Sequence, residues 1–91
     1  MSSLEYLATL GYISSISVVD KEDIKNFIHS AEYQSMGNLE KNKVLGKKMA
    51  SALPFSLYSE IGIWVYLMIQ FSFRFDGLSD EMRKSIEETL I

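Results

Sequence analysis

Apolar residues recur at helical spacing through most of this chain, and the longest such stretch, "IGIWVYLMIQFSF" at residues 61 to 73, also fits a second pattern. Taken by twos, Ile61, Ile63, Val65, Leu67, Ile69, Phe71 and Phe73 would share one face of a strand. Taken by helical steps, Leu57, Ile61, Trp64, Val65, Met68, Phe71 and Phe75 form one stripe, and Gly62, Tyr66, Ile69 and Phe73 form a second row opposite it. A strand running on to residue 75 would be about three times the usual length, and no second run of β character exists to pair with it. The pattern therefore predicts a central helix over residues 55 to 75, apolar on both sides and covered on both sides, with the stripe from Leu57 to Phe75 as the main one.

Shorter amphipathic segments flank it. Ser2 and Glu5 make a capping box for a first helix that carries Leu4, Leu7 and Ala8 and either stops at Gly11 or runs on through Ile13 and Ile16. Asp20 is expected to cap a second helix over 21 to 35, with Val19 and Ile24 as a hydrophobic staple, Ile24, Phe27, Ile28, Ala31 and Ser35 on one face, and Gly37 as its stop. Asn38 is the expected cap of a third helix, with Val44, Leu45, Met49, Ala52 and Leu53 inward; Lys41 and Lys48 fall inside the same arc, and Gly46 weakens the helix by about 1 kcal/mol relative to alanine. Pro54 ends or kinks that helix. Ser79 caps a last helix over 80 to 90 that packs through Met82, Ile86 and Leu90 behind Leu78. The expected fold is all-α, a single domain of about five helices over residues 1 to 91 around the central helix.

Composition narrows the chemistry. Of 91 residues 47% are apolar, with one proline and five glycines, which is a folding rather than a disordered composition. No cysteine is present, so disulfides, thiolate metal sites and a cysteine nucleophile are excluded. His29 is the sole histidine and is expected at a solvent edge between Lys25 and Glu32; no nucleophile turn or phosphate-binding glycine motif accompanies it. No catalytic residue, metal ligand or cofactor is expected, and no enzyme. The opening residues carry an early acid and no basic run, which predicts the absence of a signal peptide and a cytoplasmic location. Residues 53 to 73 carry one charge, Glu60, so a membrane-associated reading stands as an alternative, although Pro54, Ser56 and Ser59 dilute its start. Glu60 itself would be either half-buried against a lysine of the third helix or exposed.

Charge is unevenly placed within a net of −3. Lys41, Lys43, Lys47 and Lys48 gather in the third helix, and Asp76, Asp80, Glu81, Glu87 and Glu88 gather at the C-terminal end. The chain also holds 39 large apolar residues, more than so small a domain can cover, so some must reach the surface. Two sets are candidates for that surface patch: Tyr66, Ile69 and Phe73, or Met36, Met49 and Met82. The expectation is a small acidic protein that binds another protein with a basic surface, an inhibitor of the toxin-immunity or anti-defence type acting by occlusion. Phe73 and Phe75 would be its anchors and Asp76, Asp80, Glu81, Glu87 and Glu88 its charged rim, and a homodimer would use the same apolar surface. A helix-turn-helix reading would use Asn38, Lys41, Asn42, Lys43 and Lys47 as a nucleic-acid face, against an acidic overall charge and a lack of arginine there.

Overall fold

The computed structural model describes residues 16 to 54 and 56 to 90; the expected first helix, up to Ser15, lies outside them. The described residues are all-α. They form α1 (Val18–Ile28), α2 (Ala31–Gln34), α3 (Asn38–Ser51), α4 (Ser56–Ile61), α5 (Ile63–Phe71), a π-turn (Ser72–Asp76) and α6 (Asp80–Thr89), with no strand among them. No helix among the described residues is long and apolar enough to cross a membrane.

The expected second helix divides in two, and a serine explains the division. Ser30 Oγ donates to the Phe27 carbonyl at 2.7 Å and accepts from the Tyr33 N–H at 3.2 Å, so one side chain closes α1 and opens α2. His29, exposed, is the C-cap of α1. The N-cap of α1 is Ser17, whose Oγ accepts from the Asp20 N–H, rather than Asp20; Val19 is 78% exposed and staples nothing. Gly37, not Asn38, is the N-cap of α3. Ile24 and Ile28 are buried as expected, whereas Ala31 and Ser35 face solvent.

The larger departure is at Gly62. It has φ +86°, a left-handed value that ends α4 and redirects the chain into α5, so the central helix is two short rods rather than one long one. Nothing lies within 4 Å of where its Cβ would stand, so the break is set by the backbone and not by crowding. Glu60, at the end of α4, is exposed.

Helix α3 is the post on which the rest packs. Leu45, Met49, Ala50 and Leu53 on it are buried, with Val44 and Ala52 partly so. The π-turn crosses α3 more extensively than any other pair of elements meets. Gly46 permits that crossing: a Cβ there would drive into the Phe73 carbonyl oxygen and stand 3.0 Å from Gly77 Cα. Leu78 N–H then donates to the Asn42 carbonyl at 3.0 Å, which ties the following loop to the same helix. Ser79 caps α6 as expected, with its Oγ accepting from Met82 N–H, and Leu78, Met82, Ile86 and Leu90 close the core. The lysines inside the α3 arc are also accounted for: the Lys41 ammonium lies over the Tyr33 ring at 5.4 Å, and that of Lys48 over Phe27 at 5.0 Å while it pairs with Asp23 at 2.8 Å.

Candidate protein-binding face

The central segment, expected to be covered on both sides, is covered mainly on one. Tyr66 and Phe73, from the second row, are buried, and Ile69 packs partly against the core. Tyr66 reaches back to the Leu53 carbonyl at 3.5 Å and meets Tyr58 edge-on, while Phe73 sits where the π-turn crosses Gly46. With those contacts fixed, the part of the main stripe beyond the Gly62 turn is left uncovered, although Leu57 before the turn is buried: Trp64 is 82% exposed, Phe75 71%, and Met68 and Phe71 55% each. The expected patches of Tyr66 with Ile69 and Phe73, or of Met36 with Met49 and Met82, do not form, because their larger members are core residues.

Trp64, Met68, Phe71 and Phe75 follow one another up a single helical edge, and the Phe71 and Phe75 rings stack at 5.9 Å and 23°. Aromatic side chains carry about 150 to 250 Å² each. At the observed exposures, and with Met68 and the partly exposed Ile63 added, the row presents about 600 Å², the upper end for the largest apolar patch of an ordinary monomer. Beside its C-terminal half lies a groove of about 760 Å³ lined by Met68, Phe71, Phe75, Asp76, Ser79 and Met82. The row and the groove form one surface.

The acidic residues are only partly gathered there. Phe75 and Asp76 line the groove, and Asp80 and Glu81 begin α6 beside it, all exposed. Phe73 is not an anchor, since it is core. Glu87 is not a free rim charge either: its carboxylate is 2.6 Å from the Arg83 guanidinium, in a side chain only 18% exposed. Glu88 is exposed further along α6. Asp80 accepts from Asn42 Nδ2 at 2.8 Å, and that hydrogen bond, aided by the Arg83 and Lys84 charges, holds its carboxyl below the usual carboxylate range.

The lysine face loses a member in the same way. Asn38, Lys43 and Lys47 are exposed and Lys41 is half-buried, but Asn42 is buried, donating to Asp80 and accepting from Arg83 Nε at 2.6 Å, so it is not available to read a base edge. Arg83 is thus the hub of a polar cluster between α3 and α6 that the sequence reading counted only as charge; the Arg83/Glu87 spacing of four residues was its one visible signal.

Tyr33 completes that cluster. It is fully buried, and its hydroxyl lies near Arg83 and Glu87, which are turned toward each other, and meets hydrogen-bond geometry with neither. Burial first, then the Glu87 charge, pushes its pKa up to about 12. Because the folded pKa lies above the ordinary value of 10.0, the hydroxyl adds no pH dependence below pH 10, and stability is lost as pH rises toward 12 and a buried phenolate would have to form. Tyr33→Phe is expected to be neutral or to gain up to about 1 kcal/mol at pH 8, because an orphaned buried hydroxyl is removed. Urea midpoints at pH 8 and pH 11 check this: the fall in midpoint between the two pH values should be smaller in the variant than in the parent.

Among the described residues no three His, Asp or Glu side chains converge as metal ligands. Comparison of the chain with protein-family models, with curated proteins and with solved structures gives no significant match.

Proposed function

We propose that this chain works by binding protein, through the row Trp64, Met68, Phe71 and Phe75 and the groove beside it, and that it acts by covering a partner's surface. The observation that carries the reading is the outward row itself. Leaving about 600 Å² of aromatic and methionine surface in water is unfavourable for a monomer, and these are the residue types enriched at the centre of interfaces. Large rigid side chains such as Trp64 also supply the anchoring that dominates binding energy. Asp76 at the groove edge, with Asp80 and Glu81 next to it, favours a partner whose contact surface carries basic groups around an apolar centre. An inhibitor acting by occlusion is the concrete form of this proposal.

A photo-crosslinking residue placed at Phe71 tests it, against the same residue at Lys43, exposed on α3. In cells that express the chain, position 71 should give a discrete protein adduct that disappears when Trp64 and Phe75 are both changed to serine. Equal, diffuse labelling from the two positions would end the proposal.

A further inference from the structure

The geometry points to a second copy of this chain as a partner of the exposed row, in a two-fold pair in which each Trp64 enters the groove of the other. This rests on the row being a protein contact and says which protein it fits. One end of the row is a projection, since Trp64 is the most exposed large apolar side chain among the described residues. The other end is a receptacle, the groove of about 760 Å³ lined by Met68, Phe71 and Phe75 of the row and by the buried Met82, a size within the range of pockets that hold small molecules and ample for an indole. Projection and receptacle lie on one edge, separated by the two to three turns from residue 64 to residue 75. A two-fold axis near Met68, perpendicular to α5, therefore sets each projection opposite the partner's receptacle and satisfies both contacts with one operation, as an isologous interface requires.

Area agrees with that arrangement, and the centre of the contact is free of charge. From Ile61 to Phe73 no residue is charged, so pairing two copies brings no like charges together across the centre. At the flanks, antiparallel pairing brings Glu60 of one copy toward Arg74 of the other but also toward its acidic groove edge of Asp76, Asp80 and Glu81, so charge there works against the pair and keeps it weak. About 600 Å² per copy gives about 1,200 Å² in the pair, the lower end of the range for specific interfaces, which predicts a reversible dimer and not a permanent one.

The chain carries its own reporter, because Trp64 is its only tryptophan. Sedimentation equilibrium and tryptophan emission are followed together over a dilution series of the full chain. Mass should fall from twice the 10.4 kDa of one chain to that of one chain, and emission should move to longer wavelength over the same concentrations. Met68→Glu places two carboxylates at the axis and should weaken pairing roughly 100-fold or more. Met68 is half exposed, so the variant should keep the parent's circular dichroism and give the emission of solvent-exposed tryptophan throughout. A chain of one-chain mass at every concentration overturns the inference. A dimer that survives Met68→Glu, or that forms with no change in emission, places the contact on another face and overturns it equally, as does an emission shift produced only by phosphatidylcholine or phosphatidylglycerol vesicles on a monomer. A monomer that still crosslinks a foreign protein from position 71 removes self-pairing and leaves the row as a protein contact; a monomer with no adduct from that position removes both.

Discussion

Arg83→Met is expected to lower the free energy of unfolding by about 3 kcal/mol, which for a chain of this size is a fall of roughly 12 to 24 °C in Tm. Arg83 is 4% exposed and holds three groups at once: Glu87 at 2.6 Å, Asn42 Oδ1 at 2.6 Å and, more loosely, Asp80 at 3.8 Å. Methionine keeps most of the volume but strands the Glu87 carboxylate and the Asn42 amide oxygen, and a group left unpaired after burial loses far more than the pair was worth in net terms. The same reasoning fixes the sign of a second substitution. Adding Glu87→Met to Arg83→Met should recover at least about 1 kcal/mol, because it removes the stranded charge. Urea titrations of the three proteins measure both quantities. A loss under about 1 kcal/mol for the single variant would show that water screens the cluster as it screens a surface pair.

Gly46→Ala is expected to destabilise by about 2 kcal/mol, although alanine is the better helix former by about 1 kcal/mol and the site lies inside α3. The sign follows from what the new methyl group would meet. Its neighbours are the Phe73 carbonyl oxygen and Gly77 Cα, backbone atoms of the crossing segment that no rotamer change can withdraw. Relief requires the π-turn to lift from α3, which loosens Phe73 and the bond from Leu78 N–H to the Asn42 carbonyl together. Thermal melts monitored by circular dichroism read the effect. A stabilised Gly46→Ala would mean that the crossing is wider than described.

What the sequence made legible was the class of fold and the ends of elements with local chemistry. The cap at Ser79 and the buried step of Met82, Ile86 and Leu90 needed only neighbouring residues, and both are present. The split at Ser30 needed a hydroxyl's two hydrogen bonds to be weighed against continuing periodicity, and the periodic reading ran across it. The orientation of α5 was not legible from spacing, because two apolar rows of similar weight lie on opposite sides and hydrophobicity alone does not rank them. What decides between them is remote: Tyr66 reaching Leu53, and the backbone of Phe73 seated on a residue without a side chain in another helix. The same distance hid half of the candidate site. Phe75 and Asp76 are surface as expected, whereas Phe73, an expected anchor, is seated against Gly46 of α3, Asn42 of the same helix is taken up by Arg83 41 residues on, and Glu87 is paired with that arginine. Gly46, first met as a weakness of α3, is where that contact is made.

The turn at Gly62 also sets a ruler against the greasiest part of the molecule. Past it, the nine residues of α5 and the five of the π-turn make the longest unbroken coil in that stretch, about 20 Å at 1.5 Å per residue. The hydrocarbon slab of a bilayer is about 30 Å deep. One left-handed dihedral thus gives a segment with the composition of an anchor the dimensions of a doorstop, too short to reach through and long enough to lean against something.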